Sequence, residues 1–370
     1  MPIYLDNAAA APCAPELLEY FRECASAFPG NQESMGFHGS AAAREIREKS
    51  NGLIAALPGY TPFFANTGTE VLAIAAEAAC RIEKHGEVLT TSLEHPAMEF
   101  ALKRSCERHG MKLRICPANR TGVDLNEFEN LLSEQTAIVA VHHVQSETGG
   151  ILDLSAVRTL LNRKAPKAIL LADTMQSFGK IPLDIPESKP DFFTLSGQKL
   201  GAPGGAILFG SDRYAKTVRA LRSAEHFGGR CPVPVLLTLL SCAIRNLHRQ
   251  PENLAHAGQL RAILLDELKK NGLDFPVTLS GNTVSPFIFH LLTAPYQGAI
   301  LTRSLHLDEI SVAPGSACES ETPGGSRALT AMGYSAKESF CGLRISLWKD
   351  NTPEEMRIFA QKLALCVKKY

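Results

Sequence analysis

Apolar residues recur with two different spacings between about residues 40 and 215. Spacings of three and four positions predict helices at residues 40–57, 69–84, 96–107 and 154–161. Runs of apolar and β-branched residues predict buried strands at residues 87–91, 112–116, 136–144, 168–172, 191–195 and 205–209. This alternation predicts an α/β fold, in which a mostly parallel central sheet is flanked by helices.

The pattern changes after about residue 230. Helices are predicted at residues 235–247, 254–270 and 353–367, and short strands at 284–290, 310–313 and 343–347. This mixture is typical of a smaller α+β C-terminal domain, and a chain of 370 residues is long enough for two domains. We predict a large domain over residues 15–245 and a small domain formed by residues 1–14 and 246–370.

Composition and charge narrow the classes of function. The chain is 45% hydrophobic and 21% charged, and its 38 basic and 38 acidic residues give zero net charge. A neutral chain has no overall attraction to nucleic acid or anionic membrane. No apolar run reaches the ~20 residues of a membrane span, and the first residues do not resemble a signal peptide. We therefore expect a cytoplasmic protein that binds neither nucleic acid nor membrane, with its ten scattered cysteines mostly as free thiols.

Four features are expected at the edge where open parallel sheets bind ligands, and three of them follow predicted strands. Gly68 and Thr69 begin a helix whose N–H groups suit a phosphate, and His95 opens the next helix. Asp173 follows a strand and can pair with a cationic ring nitrogen, and Lys199 follows another strand beside a glycine-rich turn. Each alone is more commonly structural: a threonine cap, a loop histidine, a turn-capping aspartate and a solvated lysine. Together they predict a pyridoxal-phosphate site, which needs a phosphate anchor, a ring platform, a pyridinium partner and an imine lysine.

Over nearly its whole length the chain resembles the cysteine desulfurases, in the class V branch of the fold-type-I pyridoxal-phosphate enzymes. The motifs that carry the resemblance are Tyr4-Leu5-Asp6-Asn7-Ala8-Ala9, Gly30-Asn31, His38-Gly39, Thr69-Glu70, Glu94-His95, Val141-His142-His143-Val144 with Glu147 and Gly149, Asp173-x-x-Gln176-Ser177-x-Gly179-Lys180, Ser196-Gly197-x-Lys199, Gly315-Ser316-Ala317-Cys318 and Leu343-Arg344-Ile345-Ser346. The last two are the most specific, because they distinguish desulfurases from aminotransferases on the same scaffold. The resemblance implies the fold of a type-I pyridoxal-phosphate transferase, with the reactive cysteine in the small domain.

The resemblance also implies a role for each candidate residue. Lys199 would carry the cofactor, Cys318 would take sulfur from the substrate, and His95 would stack on the ring and relay protons. The other cofactor contacts would come from Gly68, Thr69, Asp173, Gln176, Ser196 and Gln198, with the phosphate at Gly68, Thr69 and Ser196. The substrate would meet Asn7, Ser146 and Arg344, since a guanidinium fork matches a carboxylate.

The implied reaction converts L-cysteine to L-alanine and leaves a persulfide on Cys318. Sulfur would pass to an unidentified acceptor protein, as in iron–sulfur cluster assembly, and a homodimer is expected because this scaffold builds its site at a subunit boundary. Two alternatives stay open: another class V reaction, such as transamination, selenocysteine lysis or cystine cleavage, and a non-catalytic family member. No metal is expected, since His142 and His143 are adjacent on a strand and point to opposite faces.

Three positions depart from the family pattern. Gln198 stands where the family has a histidine before the lysine, and Gln145-Ser146 stands where it has paired asparagines. The stretch Gly228-Gly229-Arg230-Cys231-Pro232 replaces one whose threonine reaches the partner subunit's phosphate. These departures bear on rate and substrate more than on the class of enzyme.

Overall fold

The computed structural model describes residues 2–225, 230–281, 283–315 and 325–370. The strands are β1 (Ile3–Tyr4), β2 (Tyr60–Ala65), β3 (Glu87–Thr91), β4 (Lys112–Cys116), β5 (Ala118–Asn119), β6 (Gly122–Val123), β7 (Thr136–His142), β8 (Ile169–Asp173), β9 (Phe192–Ser196), β10 (Ala206–Ser211), β11 (Ile288–Leu292), β12 (Ile310–Ser311) and β13 (Gly342–Ser346). The helices are α1 (Pro15–Ala27), α2 (Phe37–Ala56), α3 (Gly68–Ile82), α4 (Pro96–His109), α5 (Leu125–Leu131), α6 (Leu154–Lys164), α7 (Ile185–Ser188), α8 (Ala215–Glu225), α9 (Val233–His248), α10 (Gln250–Lys270), α11 (Gly298–His306), α12 (Arg327–Ala331), α13 (Ala336–Ser339) and α14 (Pro353–Lys369).

Seven strands form the central sheet in the order β2-β10-β9-β8-β7-β3-β4. β10 runs antiparallel to both of its neighbours, and the other pairings are parallel. This confirms the predicted fold class. β2 was not predicted, because Pro62 argues against a central strand; β2 lies at the edge of the sheet, where a proline is tolerated.

Alternate residues of the central strands are buried on opposite faces of the sheet. In β7, Val139 and Val141 join the apolar cluster that includes residues of α1, α6 and α9, whereas Ile138 and Ala140 join the cluster of α3, α4 and α8. Because both faces are covered, these strands are apolar throughout. That continuous apolar character is why the ends of β7, β8 and β9 were predicted to within two residues.

The C-terminal part of the chain has its own apolar core. β1 pairs with β12 and β11 pairs with β13. The core includes Ile3, Leu264, Phe289, Ile345 and Phe359. The first and last parts of the chain therefore pack together, and the division into a large and a small domain stays a prediction. The strand predicted from residue 284 begins only at Ile288.

Seven of the described helices fall outside the predicted set: α1, α5, α7, α8, α11, α12 and α13. The apolar pattern that would predict α8 is weak. Among its described side chains, the buried apolar residues are Ala215, Val218 and Leu221. Within the described ranges, no helix combines the length and the apolar character needed to cross a membrane.

Candidate active site

A cavity of about 290 Å³ lies where β3, β7, β8 and β9 end, beside the amino end of α3. Ten of the predicted site residues line it: Gly68, Thr69, His95, Ser146, Asp173, Gln176, Ser196, Gln198, Lys199 and Arg344. Asn7 is not on this wall, since its side chain is buried and donates to the carbonyl oxygen of Ser346 at 2.8 Å. Cys318 lies outside the described residues, as do Gly228 and Gly229.

Lys199 ends a single 3-10 turn that directly follows β9. The turn passes close to the next loop: a Cβ on Gly197 would lie 2.2 Å from the carbonyl oxygen of Gly204. Lys199 Nζ donates hydrogen bonds to the carbonyl oxygens of Ala8, at 2.8 Å, and Ala9, at 2.5 Å. The N-terminal segment thus holds the amine at the cavity wall.

A second lysine lies buried in the same region. Lys180 is 2% exposed, and its Nζ stands 5.1 Å from the ring centroid of Trp348. Burial lowers the pKa of Lys180 to about 7, and the positive charge of Lys199 adds to this effect. Lys180 does not line the cavity, but it lies near enough to Lys199 to be affected by its charge, and burial disposes its amine toward the neutral form.

Asp173 is the last residue of β8 and is buried. Its Oδ1 accepts hydrogen bonds from the backbone N–H of Met175 at 3.0 Å and from the hydroxyl of Thr194 at 3.2 Å. Burial nevertheless raises the pKa of this carboxyl above its usual range. A buried carboxylate in a cavity wall favours a cationic partner, because the opposite charge stabilises its ionised form.

The amino end of α3 is built to expose its backbone. Thr67 caps the helix by accepting a hydrogen bond from the N–H of Glu70 at 3.2 Å. A Cβ on Gly68 would lie 2.7 Å from Met175 Sδ, so only glycine fits this position without displacing that side chain. The N–H groups of the first turn and the positive end of the helix dipole make this a seat for an anion such as phosphate.

His95 caps α4 and lines the cavity. Its Nδ1 accepts a hydrogen bond from the N–H of Ala97 at 3.1 Å, while Pro96 occupies the first helical turn, where no N–H is needed. A neutral imidazole that accepts at Nδ1 carries its proton on Nε2. The local fold therefore fixes the tautomer of the predicted stacking histidine.

Glu94 and His142 form a pair in the cavity region that sequence reasoning did not predict. Glu94 Oε1 lies 2.8 Å from His142 Nδ1 and also accepts from the hydroxyl of Thr91 at 2.6 Å. Burial alone would lower the pKa of His142, but the charge and hydrogen bond of Glu94 and the charge of Asp173 together outweigh it and hold this pKa above its usual value. The available signal was their position, since each follows or ends a strand at the ligand-binding edge.

Arg344 lies on β13 with its side chain 2% exposed. Its Nη2 donates to Asp6 Oδ1 at 2.6 Å, and its Nη1 donates to the carbonyl oxygen of Ser146 at 3.1 Å. Its Nε is buried without a hydrogen-bond partner in the described part of the chain. Sequence reasoning missed Asp6 as the partner of this arginine.

Two of the three glutamines that line the cavity, Gln145 and Gln176, differ in their hydrogen bonds. Gln145 Oε1 accepts from the N–H groups of Glu147 and Thr148, each at 2.7 Å, so this side chain stabilises its own loop. Gln176 Nε2 donates to the carbonyl oxygen of Ala8 at 2.9 Å, and its buried Oε1 has no partner among the described residues. Gln176, not Gln145, therefore offers a free polar atom.

A family model described as Aminotransferase class-V matches residues 3–230. The chain belongs to this family. A putative cysteine desulfurase, IscS 1 of Bacillus subtilis, is 27% identical over 378 residues, which cover 99% of both chains. The family and the relative agree with the resemblance inferred from the motifs.

Solved structures show the same fold. A NifS-like protein superposes with a TM-score of 0.88 at 22% identity, and the match covers 100% of both chains. A structure described as SspA in complex with cysteine has a TM-score of 0.75 at 22% identity, and covers 95% of this chain and 100% of that one. At this identity the likeness supports the fold, and the chemistry depends on the site.

Proposed function

We propose that this protein is a pyridoxal-phosphate-dependent cysteine desulfurase, which converts L-cysteine to L-alanine with a persulfide formed on Cys318. One observation carries the proposal: Lys199, Asp173, Arg344 and the amino end of α3 line a single cavity. These groups suit an amine-linked, phosphate-bearing cofactor and an amino-acid carboxylate. Similarity over the whole length to a relative named as a putative cysteine desulfurase supports the same activity.

The described residues fit pyridoxal phosphate. The groups that would hold it are Lys199 through its amine, Gly68, Thr69 and Ser196 at the phosphate, Asp173 at the ring nitrogen, His95 at the ring face and Gln176 at the ring hydroxyl. Two buried groups favour this fit: the Asp173 carboxylate in the wall and the Gln176 amide, whose Oε1 lacks a partner within the described chain. When bound, the cofactor supplies an electron sink for negative charge at the substrate Cα.

The protein's own groups orient the substrate and move its protons. Arg344 binds the carboxylate through Nε and the remaining N–H groups of its fork, while Asp6 and Ser146 fix the guanidinium. His95 carries a proton on Nε2 at the cavity wall, where it is placed for general acid–base work. In the net reaction a carbon–sulfur bond of cysteine breaks, a sulfur–sulfur bond to Cys318 forms, and a proton goes to the methyl group of alanine.

Burial of the other thiols supports Cys318 as the nucleophile. Eight of the nine cysteines among the described residues are buried. Burial raises the pKa of Cys116 and Cys231 to about 11 and that of Cys242 to about 12. The thiolate is the reactive form, so such thiols are poor nucleophiles near neutral pH.

The test uses purified, cofactor-loaded protein and added L-cysteine. Wild type should form alanine and, with a reductant, sulfide, and the mass of Cys318 should increase by one sulfur atom. Cys318→Ser should abolish this while the visible absorption of the cofactor remains, and Lys199→Ala should lose the cofactor mass that borohydride fixes. Cys13→Ser removes a different thiol, which is partly exposed, and is the matched control. Normal desulfuration by Cys318→Ser would refute the assignment.

We also propose a homodimer, an unidentified sulfur-acceptor protein and a cytoplasmic location. Met35 and Phe37 are 98% and 83% exposed at the start of α2, which is apolar surface that a second copy would cover. The free thiols fit a reducing compartment. Sedimentation should give a dimer that Phe37→Glu weakens and that Leu307→Glu, at a residue 85% exposed elsewhere, leaves unchanged. A monomeric wild type would contradict the dimer.

A further inference from the structure

Glu94 and His142 form a buried pair at the edge of the cavity. Glu94 Oε1 and His142 Nδ1 are 2.8 Å apart, and the two residues are 4% and 6% exposed. Glu94 Oε2 is buried as well and has no hydrogen-bond partner in the described part of the chain. A buried ion pair adds little stability, because desolvation opposes its Coulomb attraction. The position of the pair is therefore more informative than its strength.

The strand order places His142 between two carboxylates. Asp173 ends β8 and His142 ends β7, and the two residues are directly paired in the parallel register. Glu94 follows β3, which borders β7 on its other side. Because paired residues of neighbouring parallel strands point to the same face, the His142 imidazole and the Asp173 carboxylate share the cavity side.

The charged and titratable groups considered around His142 are Glu94, Asp173, His95 and His143. Glu94 and Asp173 are carboxylates on its two sides, and His95, whose Nδ1 accepts a backbone hydrogen bond, also lowers the pKa of Asp173 through its charge. The adjacent His143 points to the other face, and burial lowers its pKa to about 4, so it is neutral at pH 7. Both carboxylates raise the pKa of His142, which favours its imidazolium form, and with that form Glu94, His142 and Asp173 together carry a charge of −1. A cationic ring nitrogen at Asp173 brings this buried group to zero.

We propose that His142, held by Glu94, is a positioning residue that keeps Asp173 ionised for the ring nitrogen of the cofactor. The inference rests on the proposed function. Without the imidazolium, two buried carboxylates would share one cationic ring, and Asp173 would take up a proton more readily. If Glu94 is neutralised as well, the Asp173 carboxylate and the cationic ring nitrogen of the cofactor balance each other again. Loss of both Glu94 and His142 should therefore weaken cofactor binding less than loss of His142 alone.

The test measures how tightly the apo-protein binds pyridoxal phosphate, by absorbance titration, and how the cofactor spectrum changes with pH. His142→Gln should weaken cofactor binding about tenfold, which corresponds to a change of one pKa unit at Asp173. The double variant Glu94→Gln/His142→Gln should recover most of that loss. His143→Gln is the matched control, since it removes a buried neutral imidazole from the other face, and should change binding less than about twofold.

Two results would overturn the inference. One is a His142→Gln protein that binds the cofactor and titrates spectrally like His143→Gln. The other is a double variant that binds the cofactor as weakly as His142→Gln or more weakly. If the pair served only to pack the site, the two substitutions would each lower the affinity and their effects would add. Wild-type binding separates this inference from the proposed function: if wild type forms no coloured complex, the function itself is wrong. Thermal melting of each variant shows whether it is folded at the temperature of the titration.

Discussion

Replacing Asp6 by alanine should destabilise the protein through Arg344. The pair is short, at 2.6 Å, and the side chains are 19% and 2% exposed. Breaking a buried pair by removing one partner costs about 3–5 kcal/mol, because the remaining charge stays buried. We expect a loss of about 3 kcal/mol, at the lower end of that range, because Asp6 is partly exposed and Arg344 keeps its hydrogen bond to the carbonyl oxygen of Ser146.

Calorimetry of the ligand-free protein measures this loss. The entropy of unfolding of a chain of this length is about 0.8 kcal/mol/K, so the melting temperature should fall by about 4 °C. Asp350→Ala, which removes an exposed partner of Lys349, should lower it by less than about 1 °C. Added L-alanine should raise the melting temperature of Asp6→Ala more than that of wild type, because its carboxylate replaces the missing counter-ion. Equal melting of Asp6→Ala and Asp350→Ala would refute the reasoning.

Three further predictions concern particular residues. Gly149 and Gly272 both have φ +75°, but a Cβ on Gly149 would lie 2.1 Å from the carbonyl oxygen of Ile288, while Gly272 faces open space. Gly149→Ala should therefore cost at least about 2 kcal/mol more than Gly272→Ala by calorimetry. Burial lowers the pKa of His290 to about 3, so its contribution to stability is complete above pH 6.5 and is lost as the pH falls toward 3. His290→Gln should flatten the decline of melting temperature over that interval; an unchanged slope would contradict this. Arg344→Lys should raise KM for cysteine about tenfold or more, since an ammonium lacks the fork, and an unchanged KM would count against the carboxylate role.

The sequence predicts the site where the signal is local. Asp173 and Lys199 each follow a continuous apolar strand, and the parallel sheet brings such strand ends to one edge. The signal for the anion site at the amino end of α3 is equally local, because the capping Thr67, Gly68 and the rest of the helix follow one another in the chain. These residues line one cavity, as their positions after the strands suggest, while their roles toward a cofactor stay a prediction.

The missed contacts join segments that no local pattern relates. Asp6 and Arg344 are 338 positions apart, and Glu94 and His142 are 48 apart. Periodicity shows which face of a strand is buried, but it does not show which strands are neighbours. The antiparallel course of β10 was missed for the same reason, since its apolar run suits either direction.

The N-terminal segment gives these long-range contacts a common origin. The carbonyl oxygen of Ala8 accepts from both Lys199 Nζ and Gln176 Nε2, while Asp6, two residues earlier, pairs with Arg344. One short segment therefore holds the proposed cofactor-binding side chains of the sheet and the proposed substrate arginine of the C-terminal part. Since two of these contacts use a backbone carbonyl, no side-chain substitution at Ala8 removes them. Asp6 is thus the position at which the link to Arg344 can be cut while the hydrogen bonds to Lys199 and Gln176 stay in place.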